Sequence, residues 1–198
     1  MLYKLSARLA DRLFNHGVIA EEDKDIYVYG FQLLISFLFS TSLVLLIGAV
    51  LGKIAETLAF LIVYILLRSF SGGYHANSYA VCTIVTVSVY LIVILMSSLV
   101  NVNLIAYLSL FILGIILLAL MAPVRHPNKK ISSKDTIKYK IISLGLFSIF
   151  VCIGIYMLSR NIKLANSVFY TLCADVTNLF PNCRYAIKNK QLKENKNA

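Results

Sequence analysis

Residues 68–82 read RSFSGGYHANSYAVC and set one imidazole, His75, and one thiol, Cys82, seven positions apart between two long apolar runs. These residue types are the pair that nucleophilic acyl transfer needs: the thiol attacks as a thiolate, and a base within hydrogen-bond reach takes its proton. On one continuous helix seven residues would separate them by two turns, roughly 10 Å, on the same face but out of contact. Gly72 and Gly73 offer a way out, because glycines permit dihedrals and close approaches closed to other residues. Asn77 or Ser78 can cap a helix that begins just beyond, leaving His75 in the loop before the cap, free to fold back towards Cys82. A thiol in the first turns of that helix meets amide dipoles that favour a negative group, and a neighbouring histidinium favours it further. Lipid close by opposes both through desolvation, so the chemistry requires a water-accessible pocket at the membrane face. Each residue also has a plainer use. A membrane cysteine is a small apolar filler, Arg68 a snorkelling anchor, Gly-Gly a tight turn and His75 a helix cap. Their clustering on one face favours the chemical reading.

The elements that would hold this cluster are membrane spans. The chain has 198 residues, 59% hydrophobic and only 14% charged. A soluble domain carries about 25% charged residues, so this one would lack the polar surface to stay dissolved, and the long apolar stretches are those of an integral membrane protein. The net charge of +10 sits in short loops and the C-terminal tail, which argues against nucleic acid as its partner. The four cysteines, Cys82, Cys152, Cys173 and Cys183, have no zinc-site spacing and form no dense disulfide framework. Cys152, Cys173 and Cys183 read as packing or capping residues. No metal cluster or phosphate-binding Gly-rich Lys motif is present, so no cofactor or metal is expected.

The fold class expected is all-α and polytopic, with about six transmembrane helices at residues 28–50, 54–68, 79–100, 103–122, 140–158 and 162–181. The second is short for ~30 Å of hydrocarbon at ~1.5 Å per residue unless it starts near Leu51. The sixth is weaker, with Asn166, Asp175 and Asn178 inside it. Residues 2–15 have Leu2, Leu5, Leu9 and Leu13 at helical spacing and Lys4, Arg8 and Arg12 on another face. They read as an amphipathic helix, either lying in the interface or packed on the protein's own loops. This N-terminus lacks the apolar core and cleavage site of a signal peptide. With the N-terminus inside, sixteen of the nineteen lysines and arginines fall on inner segments, and only Lys53, Arg160 and Lys163 lie outside. That bias supports the span count and puts both termini and residues 68–82 on the cytoplasmic side. Residues 1–184 read as one membrane-embedded domain and 185–198 as a basic tail.

Arg68, Gly72, Gly73, Tyr74, His75, Ala76 and Cys82 together resemble the signature R-x3-G-G-x-H-A-x5-C of the accessory gene regulator protein B family. The length, span layout, basic loops and amphipathic start are similar too. The resemblance implies a bacterial cysteine-type membrane endopeptidase that processes a quorum-sensing peptide precursor. Cys82 would be the nucleophile and His75 the general base. The C-terminal piece of a short precursor would leave, and the rest would remain as a thioester until an internal thiol or hydroxyl closes a thiolactone or lactone. Arg68 would orient substrate carboxylates or support the loop, and Gly72 and Gly73 would shape it. The implied partners are an amphipathic precursor with an acidic C-terminal part and a second copy of the chain. The basic inner surface would meet that precursor or anionic lipid.

Three residues outside the motif are weaker candidates. Glu56 is expected near the far face, Asp175 deeper in the sixth segment and within reach only if packing brings it there. His126 lies between Pro123 and Pro127 in a stiff turn. The competing functions are a small peptide or ion transporter, for which few polar mid-span residues and no inverted repeat are visible, and a non-enzymatic membrane scaffold.

Overall fold

The computed structural model of the protein describes residues 2–72, 79–122 and 133–179. Gly73, His75, the capping candidates Asn77 and Ser78, His126 with its flanking prolines, Cys183 and the tail 185–198 lie outside the described residues. The chain forms α1 (Leu2–Asn15), a short 3-10 turn (Glu21–Asp23), α2 (Lys24–Val50), α3 (Ile54–Ser71), α4 (Tyr79–Leu99), α5 (Leu104–Met121), α6 (Ser133–Leu158) and α7 (Ile162–Thr177). Five helices are long and apolar enough to cross a membrane, at Glu21–Val50, Ile54–Ser71, Tyr79–Leu99, Leu104–Met121 and Thr136–Leu158. The protein is thus an all-α, multi-pass membrane protein. Its outward faces carry leucine and isoleucine, Ile105 and Leu120 being about three-quarters exposed. Lipid accommodates such a surface and water does not.

Several helix boundaries differ from the sequence reading, and two of them move basic residues. α3 does gain length, but at its Arg68 end, running on to Ser71; its 18 residues reach ~27 Å. Arg68 therefore sits one turn inside the helix rather than at its tip. α6 begins at Ser133, so Lys138 lies on a helix and not in a loop.

Close backbone approaches set the packing. A Cβ on Gly48 of α2 would overlap Thr57 of α3, and Cβ atoms on Gly114 and Gly154 would overlap Phe147 and Tyr107 across the α5–α6 contact. Thr57 Oγ1 also hydrogen-bonds the Tyr90 hydroxyl of α4 at 2.7 Å, fastening three helices at one point. One core gathers α3, α5, α6 and α7 around Leu67, Tyr107, Phe147 and Leu172. A second gathers α2, α3 and α4 around Val44, Phe60, Tyr64 and Tyr90. α1 lies against α2 through the small, fully buried Ser6 and Ala10, and Lys24 of α2 pairs with its Asp11 at 2.5 Å.

α7 is the helix the hydropathy profile underrates. Only 16 residues long, it packs against α3, α4, α5 and α6. Half its length is buried, including Asn166, Ser167, Thr171 and Asp175. Asn161 caps its start by accepting from Leu164 N at 3.2 Å. These buried polar side chains face protein, where helix–helix contacts can satisfy them.

Candidate active site

α3 enters the site end of the bundle and α4 leaves it. Gly72 terminates α3 with φ 74° and ψ 163°, a region of backbone space that glycine alone occupies without strain. Four residues into α4, Cys82 is a free, partly exposed thiol. It therefore sits in the first turn of the helix.

The start of α4 is held by α2. The Tyr79 hydroxyl donates to Gln32 Oε1 at 3.0 Å, and Ser40 Oγ and Thr83 Oγ1 share a buried hydrogen bond of 2.8 Å. Residues on both sides of Cys82 are thus anchored, and the helix cannot rotate its thiol away without losing them. One turn on, Thr86 Oγ1 donates to the Cys82 carbonyl at 3.0 Å.

Arg68 points back along α3. Its Nη1 donates to the Tyr64 hydroxyl, and the guanidinium stands 5.2 Å from the centre of the Tyr64 ring, a charge-assisted hydrogen bond and a cation–π contact in one pair. Tyr64 is buried, lies beside Thr86, and is within electrostatic range of Arg68, Asp175 and Cys82. The phenol therefore couples the arginine on α3 to the thiol-bearing turn of α4.

Asp175 of α7 completes the group. It is only 8% exposed, interacts electrostatically with Arg68, and sits among Leu67, Ser71, Leu118, Phe147 and Val176. Its Oδ2 finds no hydrogen-bond partner among the described residues. The packing of α7 between α3 and α6 is what carries this acid to the Arg68 end. Glu56, in the first turn of α3, lies at the opposite end.

Of the residues singled out by sequence, Arg68, Gly72, Cys82 and Asp175 therefore lie towards the same end of the bundle. Tyr64 was not singled out. The signal for it was present, since a tyrosine four residues before an arginine shares its helix face, but tyrosines are so common at membrane boundaries that the pair did not stand out. Among the described residues no three His, Cys, Asp or Glu side chains converge to hold a metal ion. Chemically the site offers a thiol at a helix start, a fixed cation, a buried phenol and a buried carboxyl group.

Residues 6–179 match the family model described as Accessory gene regulator B. The chain is 30% identical over 160 residues to AgrB-like protein 2 of Clostridium perfringens (strain 13 / Type A), covering 74% of this chain and 75% of that one. It is also 30% identical over 163 residues to an AgrB-like protein of Clostridium perfringens (strain SM101 / Type A), covering 78% and 76%. No solved structure matches.

Proposed function

The chain belongs to the accessory gene regulator B family, and from that premise we propose that it is a cysteine-type membrane endopeptidase that cleaves and cyclises a quorum-sensing peptide precursor. The observation that carries the reading is Cys82 on the first turn of α4, beside the Arg68–Tyr64 pair and partly open to solvent. In this reading His75 takes the Cys82 proton, and the thiolate attacks the scissile carbonyl carbon. The C–N bond breaks, the proton passes to the departing amine, and the N-terminal part of the precursor stays on Cys82 as a thioester. A thiol or hydroxyl within that part then attacks the thioester, forms the ring bond and returns the thiolate to Cys82. Holding the internal nucleophile close makes closure effectively unimolecular, and limited water at a membrane face favours transfer over hydrolysis. Arg68, fixed by Tyr64, receives substrate carboxylates, and Gly72 with Gly73 shapes the loop that carries His75.

The topology proposed with it has α7 as a sixth span, both termini cytoplasmic and the site on the cytoplasmic face. The bias of basic residues supports that orientation. Residues 1–184 act as the peptidase domain and 185–198 as its basic tail. α1 lies in the interface, with the exposed Lys4, Arg8 and Arg12 towards anionic lipid. The protein works as a homodimer on an amphipathic precursor with an acidic C-terminal part.

The test is cleavage in membranes that contain the precursor peptide, with wild type, Cys82→Ala and His75→Ala at matched levels and products read by mass spectrometry. Both variants are expected to release no C-terminal fragment, and an acyl adduct is expected on wild-type Cys82. Undiminished cleavage by Cys82→Ala would sink the reading.

A further inference from the structure

Cys82, Thr86, Val89, Val93 and Met96 follow one another along α4 at spacings of four, three, four and three, so all five lie on one side of the helix. Val89, Val93 and Met96 form one wall of an open groove of about 250 Å³, and Cys173, Thr177 and Asn178 belong to its other wall on α7. The groove therefore begins on the same stripe as Cys82, two turns or roughly 10 Å further along. A site that encloses a whole small molecule measures about 300–1,000 Å³. This one has the size for one or two side chains of a longer ligand.

The groove is mostly apolar, but not wholly. Asn178 Nδ2 is buried at its edge and donates to no acceptor among the described residues. A buried N–H left unpaired is costly, and its natural complement is a carbonyl oxygen. A lipid offers carbonyls only at its ester groups. An extended peptide presents a carbonyl on every residue, and three residues of it span about 10 Å, the distance from groove to thiol.

We propose that the α4–α7 groove is a peptide subsite that takes one or two apolar side chains about three residues from the bond Cys82 attacks, with a peptide carbonyl accepting from Asn178 Nδ2. The assignment rests on Cys82 being the nucleophile. It makes the substrate an extended peptide with apolar residues near its cleavage point, reaching the groove sideways from the membrane.

Cys173 in the groove wall supplies a readout independent of turnover. In the full-length Cys82→Ala protein in phosphatidylcholine–phosphatidylglycerol vesicles, alkylation of Cys173 by a membrane-permeant maleimide is followed with and without the precursor peptide of the cleavage assay. The peptide is expected to slow alkylation about tenfold, and Asn178→Leu to weaken that protection. In proteins that keep Cys82, Ile92→Trp and Thr177→Trp, both at exposed groove-lining positions, are expected to raise KM about tenfold. The rate at which iodoacetamide modifies Cys82 should stay unchanged, which reports an intact fold and an open thiol. Cleavage by wild type with no peptide protection of Cys173, or with unchanged KM in both tryptophan variants, overturns the groove and leaves the peptidase reading standing. Cys173 protection set by lipid chain length or by protein concentration, and not by peptide, likewise overturns it, assigning the groove to lipid or to a second copy. Absence of wild-type cleavage removes both readings together.

Discussion

The two ends of α7 are built on opposite terms. At the Ile162 end every buried polar group has a partner. Asn166 Oδ1 accepts from Val102 N at 3.1 Å, while its Nδ2 donates to the Ser97 carbonyl and to Asn101 Oδ1, each at 3.0 Å. Ser167 Oγ donates to the Glu56 carbonyl at 3.0 Å, and the Tyr107 hydroxyl to the Ala165 carbonyl at 2.6 Å. At the Thr177 end Asp175 Oδ2 and Asn178 Nδ2 have no partner among the described residues. The first end is a structural joint that pins α7 to α3, α4 and α5. The second keeps polar capacity in reserve, and it lies beside Arg68 and along the Cys82 stripe. A bundle gains nothing in stability from unpaired buried polar atoms, so their concentration at one end points to work done there.

The largest effect expected is at the end that carries the proposed nucleophile. Cys82→Ala should lower cleavage by at least about a thousandfold while leaving the melting temperature of the purified protein within a degree or so. A large drop in melting temperature would make Cys82 a packing residue and erase the contrast. Next comes the joint. Asn166→Leu removes three hydrogen bonds and leaves the Val102 N–H and Ser97 carbonyl unpaired, so it should destabilise the protein by about 2–4 kcal/mol in detergent unfolding. Ser167→Ala is a milder probe of the same end, with a loss of about 1 kcal/mol.

Asp175→Asn sharpens the comparison from the other side. It keeps size and exchanges the carboxyl group for an amide near Arg68. Stability should hold or rise slightly, because a buried acid with an unpaired oxygen gives way to a neutral amide. Cleavage should fall roughly tenfold as Arg68 loses its facing carboxyl group. Equal destabilisation by Asp175→Asn and Asn166→Leu would show the two ends to be alike. The smallest effect expected is that of Thr83→Val, which breaks the Ser40–Thr83 bond. It should cost about 1 kcal/mol and lower cleavage severalfold, since the Tyr79–Gln32 bond is then the remaining side-chain tie from the first turn of α4 to α2 among the described residues.

Much of this arrangement was legible in the chain itself. Long apolar runs mark five helices because crossing hydrocarbon demands them. Gly72 as a helix stop and Cys82 just inside the next helix follow from local residue chemistry. The overrun of α3 to Ser71 was less visible, since serines and an arginine near a helix end look like a boundary. In the structure they form a last turn whose hydroxyls bond to the backbone, as Ser69 Oγ does to the Ile65 carbonyl at 2.7 Å.

The sequence by itself determined the membrane class, the main helices and the placement of a thiol at a helix start, because hydropathy, periodicity and capping act over a few residues. Only the tertiary structure decided that the polar seventh helix runs through the middle of the bundle. It also decided that Asp175 comes within electrostatic range of an arginine more than one hundred positions away, that Tyr64 links that arginine to the turn of Cys82, and that Asn178 faces a groove on the Cys82 stripe. Each of these depends on which helix faces lie against each other. That choice is made by summed packing and interhelical hydrogen bonds across the whole bundle, a sum that no short window of sequence contains.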